Sequence, residues 1–207
     1  MSFLTVLEEV TGKIAPGRTP SFTEAHVIKA LETIDTRKIV GRQKLAEELE
    51  LGMGTTRTLI DHLKRQTLIK VSRRGITLSQ SGEELLSNLR THISKGVEIP
   101  PSPLTIGAHN IAVLVRNIGD KVKSGVEQRD EAIKMGATGA TTLVFSQNEL
   151  SMPGVEEEVL KDVPSIRDIL MSDLSPQEND VIIMAGADDR RTAEFGAIMS
   201  ALRLLKQ

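Results

Sequence analysis

Six cationic side chains stand between positions 55 and 80: Arg57, Lys64, Arg65, Lys70, Arg73 and Arg74, against one carboxylate, Asp61. Guanidinium and ammonium groups at this density neutralise phosphate oxygens and release the counterions condensed on a nucleic acid. The net charge of −2 argues against that chemistry only until the chain is divided. Residues 1–100 hold 15 Lys+Arg and 12 Asp+Glu, whereas residues 101–207 hold 11 and 16. Local charge governs phosphate affinity, so the first half suits a polyanion and the second half repels one.

The elements around these cations predict how they are presented. Val27, Ile28, Leu31 and Ile34 recur at helical spacing, and Ser21 with Glu24 fits a capping box at that helix's start. A second helix begins near Gly41 and carries Leu45, Ala46 and Leu49. After a turn at Glu50-Leu51-Gly52, a third helix sets Thr56, Leu59, Ile60 and Leu63 on one face. Two helices joined by a short turn form a helix-turn-helix. On the opposite arc of the third helix lie Gly54, Thr58, Asp61 and Arg65, flanked by Thr55, Arg57 and His62. His62 reads as a surface histidine, and an Arg57–Asp61 salt bridge is the bland alternative for Arg57. Side chains at this helix start are small or hydrogen-bonding, as entry into a major groove requires. Gly52, Met53 and Gly54 leave backbone N–H groups open to a phosphate. Next, Leu68-Ile69 and Val71, then Ile76 and Leu78, bracket Ser72-Arg73-Arg74-Gly75. This predicts a hairpin with glycine at the turn and two arginines at the tip. A further helix near Ser81 carries a stripe of Leu85, Leu86, Leu89 and Ile93.

The expected DNA contacts are therefore Gly54, Thr55, Arg57, Thr58, Arg65, Arg73 and Arg74. Arg57 and Thr58 would read bases, and Thr55 and Arg65 would position phosphates.

The second half has another texture. VEIPPSPLTIG (97–107) is proline-rich and reads as a linker, and IAPGRTPS (14–21) as an earlier break. Residues 110–117, 140–147 and 180–187 read as strands, and 150–155 as a weaker one after a turn at Asn148-Glu149. Residues 126–137, 156–172 and 188–206 read as helices. The order βαββαβα is the ferredoxin-like split βαβ plan with a helix added; a small three-layer α/β arrangement is the alternative. Two segments offer candidate ligand contacts. One is Thr138, Gly139 and Thr141 in a Gly/Thr-rich connection, which also reads as a helix C-cap and turn. The other is Asp188, Asp189 and Arg190 at a strand's end, which also reads as a helix N-cap with solvated arginines. Arg129-Asp130 reads as a surface pair.

Other chemistries find little support. There is no cysteine, so thiol chemistry and Cys-based metal sites are excluded. The four histidines are scattered, and no metalloprotease, nucleophile-elbow or Walker pattern is present. The reading is therefore not an enzyme, with no cofactor and no metal. No apolar run is long enough for a membrane span, and the N-terminus lacks a basic signal region, so a cytoplasmic location is expected.

The stretch LAEELELGMGTTRTLIDHLKRQTLIKVSRRGITLSQSGEELL resembles bacterial and archaeal winged helix-turn-helix regulators. Leu45-Ala46, Thr56-Arg57, Leu68-Ile69 and Leu78 with Gly82 occupy that pattern's positions. Gly52 replaces a Ser or Thr cap, and Thr67 stands where glycine is common. With RDEAIKMGATGATTLVF and the final strand and helix, nearly the whole chain resembles an archaeal two-domain group. Its C-terminal domain is catalogued as a domain of unknown function (DUF4443). The resemblance implies a transcription regulator and supplies no ligand.

The expected architecture is α+β. A winged helix-turn-helix DNA-binding domain spans 1–96, a linker 97–107, and an α/β regulatory or dimerisation domain 108–207. The expected function is a DNA-binding transcriptional regulator. Its partners would be double-stranded DNA, a second copy of the chain through the 85–93 stripe or the C-terminal domain, and an unidentified small-molecule effector. A winged-helix protein-interaction module, or a small-molecule-binding or enzymatic C-terminal domain, is the alternative.

Overall fold

The apolar spacings of the first half become helices packed around Leu31, Ile34, Leu45, Leu49, Leu59 and Leu63, all fully buried. Each such side chain contributes about 1.5–3 kcal/mol relative to exposure. The computed structural model describes residues 2–13, 20–105, 107–155, 160–161 and 163–207. The chain divides into two units, Met1–Leu89 and Arg90–Gln207. Most of the 14–21 break lies outside the described residues.

In the first unit, α1 (Phe3–Thr11) precedes α2 (Glu24–Arg37), α3 (Arg42–Leu49) and α4 (Met53–Arg65). The expected Ser21–Glu24 box is not the cap of α2. Thr23 is the N-cap, and its backbone N–H donates to His26 Nδ1 at 3.1 Å. The turn between α3 and α4 closes through Glu50, whose left-handed φ of 46° lets its N–H reach the Ala46 and Glu47 carbonyls. Strands β1 (Ile69–Ser72) and β2 (Gly75–Leu78) form an antiparallel hairpin, and Val40 adds a β-bridge to Ile76. Then α5 (Gln80–His92) follows, started by Ser79. The Ser79 hydroxyl accepts from Gly82 N–H at 3.1 Å and donates to the Thr67 carbonyl at 2.5 Å. A Cβ at Gly82 would meet the Leu68 carbonyl oxygen at 2.1 Å, so the start of α5 admits only glycine there.

The second unit is a five-stranded antiparallel sheet of order β3-β4-β7-β5-β6. Its strands are β3 (Val97–Ile99), β4 (His109–Val115), β5 (Gly139–Ser146), β6 (Glu149–Ser151) and β7 (Val181–Ala187). Its helices are α6 (Val126–Lys134), α7 (Pro164–Leu174) and α8 (Arg190–Leu205). From β4 to α8 the order is βαββαβα, so the α+β class holds. β4 and β5 run parallel with β7 between them, a split βαβ. The gap is filled by the last strand, while β6 lies at an edge.

Two boundaries move. Residues 97–99, expected within the linker, form β3 because Val97 and Ile99 alternate toward the core and Ile99 is buried with Leu114, Leu143 and Leu170. The helix expected over 156–172 starts at Pro164, whose missing N–H costs nothing in a first turn. Residues 156–159 and 162 lie outside the described set.

Candidate nucleic-acid interface

The amphipathic spacing of α4 buries Thr56, Leu59, Ile60 and Leu63 and turns Met53, Gly54, Arg57, Thr58, Asp61, Lys64 and Arg65 to solvent. Thr56 belongs to the inner face because its hydroxyl donates to the Gly52 carbonyl at 3.1 Å. Gly52 caps α4 without a side-chain hydrogen bond, and open space surrounds both Gly52 and Gly54. The first N–H groups of α4 are thus reachable by an anion.

The hairpin brings its cations to the same side. Arg73 and Arg74 form a two-residue loop between paired Ser72 and Gly75. Arg74 N–H donates to Ser72 Oγ at 3.2 Å, and Ser72 Oγ donates to the Gly75 carbonyl at 3.2 Å. Gly75, at φ 136°, absorbs the reversal from the first residue of β2. A Cβ there would meet Ile39 Cγ2 at 2.8 Å and the Val40 oxygen at 3.0 Å.

A cleft of about 500 Å³ runs between α4 and the hairpin, walled by Arg42, Arg57, Lys64, Arg73 and Arg74 around Asp61. A second, of about 480 Å³, lies at the start of α3 and α4 between Arg42, Gln43, Met53, Gly54 and Arg57. Arg42 and Arg57 line both. Among the described residues, Arg42, Arg57, Lys64, Arg65, Lys70, Arg73 and Arg74 form no ion pair, and the expected Arg57–Asp61 alternative does not form. The acids of α3 are held elsewhere. Arg37 donates to Glu48 at 2.5 Å and holds its carboxyl below the usual carboxylate range, and Lys44 pairs with Glu47. Seven cations therefore face solvent outside any ion pair among the described residues, with Asp61 the carboxylate in their cleft.

The predicted contacts divide accordingly. Gly54, Arg57, Arg73 and Arg74 line the clefts. Thr55 is half-buried, and Thr58 and Arg65 are exposed but outside both clefts. Thr58 Oγ1 donates to the Gly54 carbonyl at 3.1 Å, which leaves that hydroxyl only as an acceptor. The clefts also take in Arg42 and Gln43, which the sequence reading did not single out, and Lys64, which it counted as a cation but not as a contact. For Arg42 and Gln43 the run Gly41-Arg42-Gln43-Lys44 carried the signal, a basic start to α3 beside α4. His62 is a correction: it is buried at 6% exposure, edge-on to Phe22 at 5.5 Å.

In the second unit the candidate ligand residues are largely engaged in the fold. Thr138 N–H donates to the Gly186 carbonyl at 2.8 Å, Gly139 pairs with Gly186 in the sheet, and Thr141 Oγ1 donates to the Leu104 carbonyl at 2.9 Å. Asp189 caps α8, accepting from Thr192 N–H at 2.9 Å and Thr192 Oγ1 at 2.6 Å, and those bonds lower its pKa. Arg190 contacts Glu98 at 3.4 Å and Glu194 at 3.6 Å, and Asp188 is exposed. Among the described residues there is no helix long and apolar enough to cross a membrane and no cluster of metal-ligating side chains.

Residues 26–93 match the family model of the CggR N-terminal DNA binding domain, and residues 106–204 match the domain of unknown function DUF4443. The solved structure of a hypothetical protein from Pyrococcus horikoshii OT3 is similar at a TM-score of 0.71. The two share 28% identity, covering 90% of this chain and 94% of that one. No curated protein matches the chain. This chain carries a CggR-type DNA-binding domain in its N-terminal part and a DUF4443 domain in its C-terminal part.

Proposed function

We propose that this protein is a transcriptional regulator that binds double-stranded DNA as a homodimer, with its C-terminal unit serving dimerisation or effector sensing. The cleft between α4 and the hairpin carries the reading: five cations line it and no carboxylate pairs with them among the described residues. The α4 start would enter a major groove, where Arg57 can bond guanine O6 and N7 in a bidentate fork. Arg73 and Arg74 would touch the backbone or the adjacent minor groove. Two copies would multiply the few base pairs that one helix reads. The acidic second half would stay off the duplex.

Duplex binding measured by fluorescence anisotropy across salt concentrations tests this, with fragments selected from genomic DNA as probes. Each phosphate neutralised contributes about −0.9 to the slope of log K against log salt. Replacing Arg57, Arg73 and Arg74 together with alanine should weaken binding, and losing the backbone contacts of Arg73 and Arg74 should flatten the slope by roughly 2 on that basis. An unchanged slope sinks the contact assignment, and salt-insensitive capture of a protein partner with no DNA binding favours the interaction-module alternative.

A further inference from the structure

We propose that the exposed face of α6 docks on the same face of a second copy of this chain, the two helices antiparallel about a two-fold axis midway between Arg129 and Asp130. This names the contact behind the dimer proposed above.

Val126, Arg129, Asp130 and Ile133 stand at i, i+3, i+4 and i+7, a single stripe along two turns. All four are exposed, while Gln128 and Ala132 on the inner side are buried. Val126 is 42% and Ile133 48% exposed, two large apolar side chains that the fold leaves uncovered on one helix. Between them sits an ion pair, Arg129 to Asp130 at 3.0 Å.

The stripe is its own complement. With the axis between Arg129 and Asp130, positions equally far from it face each other across the contact. Val126 then meets Ile133 of the second copy at both ends. Arg129 meets Asp130 of the second copy, and the two ion pairs close into four alternating charges. A parallel pairing would set Arg129 on Arg129 and Asp130 on Asp130, which like-charge repulsion disfavours. This self-complementarity fits an isologous two-fold contact and points to a second copy rather than an unrelated partner. Of the other stripe expected to dimerise, Leu86, Leu89 and Ile93 are buried and only Leu85 is partly exposed, which leaves little of it for a partner. A two-turn stripe is small beside the roughly 800 Å² per partner of a standard interface, so the association is weak and concentration-dependent.

The test uses the full chain without DNA, so that it can fail independently of DNA binding. Sedimentation from about 1 μM to about 1 mM, the range in which small interfaces associate, should show the mass rising from 22.6 kDa toward twice that value. Arg129→Asp and Asp130→Arg should each weaken association about tenfold or more by setting like charges opposite one another, and the double reversal should restore it. The chain has no native cysteine, so Val126→Cys with Ile133→Cys gives a second readout. These positions lie about 10 Å apart along one helix, too far to bridge within a chain. Oxidation of the paired variant should therefore give covalent dimers, and Val126→Cys alone should not. A wild-type chain that stays monomeric throughout overturns the proposal. So does a folded double reversal that stays as dissociated as the single ones, or cross-linking by Val126→Cys alone equal to that of the pair.

Discussion

His62 Nδ1 lies 2.6 Å from the carbonyl oxygen of Val10. A carbonyl only accepts, so Nδ1 carries the proton and donates. The bond joins α1 to α4, with Phe22 edge-on against the imidazole. Phe3, Leu7 and Val10 are buried on the same side of α1, so the bond is sheltered rather than shared with water. Helical spacing alone sets His62 at the flank of the outward arc. It is covered because α1 packs against α2 and α4, an element outside the helix-turn-helix pattern.

Replacing His62 with alanine should destabilise the protein by about 1–3 kcal/mol, since the Val10 carbonyl and a ring-sized space lose their partner. Urea melts measure the loss, and hydrogen exchange should show the α1 amides opening first. The salt slope of DNA binding should stay unchanged, because His62 lies on the side of α4 away from the clefts.

Thr67 offers a gain instead. Its φ is 56°, a left-handed conformation that a β-branched residue adopts at a cost. The position closes α4, with Thr67 N–H bonded to the Lys64 carbonyl at 3.0 Å and Leu68 N–H to the Leu63 carbonyl at 3.0 Å. Its own carbonyl accepts from Ser79, a bond that survives any side-chain change. Thr67→Gly should therefore raise stability by roughly 1 kcal/mol, within the range for relieving such strain. A thermal midpoint that falls would show that the threonine side chain contributes more than its backbone costs.

The winged unit was legible because two periods and a few punctuating residues settle it. Helical spacing located α2 to α5, Gly52 located the start of α4, and the Leu68-to-Leu78 alternation located the hairpin. Cation placement was legible only along one element at a time. Arg57 and Arg73 are read from their own helix and loop, but Arg42 joins them only when α3 is folded against α4. In the second unit, β4, β5 and β7 were legible as apolar runs, yet nothing local says that β7 inserts between β4 and β5. β3 was hidden because three residues beside Pro100 and Pro101 resemble linker until a partner strand supplies the hydrogen bonds. The Gly136 and Asp189 segments were read two ways, and the structure uses both as helix ends: Gly136 at φ 91° after α6, and Asp189 as the cap of α8.

Asp189 ties stability to pH. Its bonds to Thr192 favour the charged carboxylate, so its folded pKa lies below the unfolded one. A depressed carboxylate contributes stability that is present above the unfolded pKa and lost as pH falls through the folded value. Asp189→Ala should therefore destabilise the protein by about 1 kcal/mol near neutral pH, the usual worth of an N-cap. The difference from wild type should shrink below about pH 4, where carboxylates protonate. Asp189→Asn should retain much of the cap. A deficit that stays constant down to pH 2 would remove the charged cap from the explanation.

Arg42 and Arg65 make the sharpest comparison for the proposed DNA contact. Both are exposed cations of the winged unit, and neither forms an ion pair among the described residues. Arg42 lines both clefts and stands beside Arg57 in each, whereas Arg65 lines neither. A phosphate in register with the start of α4 would sit within reach of Arg42 and the open N–H groups after Gly52. Arg42→Ala should weaken binding to every duplex by a similar factor and reduce the salt slope by about 1, the signature of one lost phosphate contact. Arg65→Ala should change affinity less and leave the slope nearly intact. Because guanidinium and alanine differ equally at the two positions, general loss of positive charge predicts equal effects. Equal slopes for the two variants, measured on the same duplex, would mean that net charge rather than the clefts governs binding.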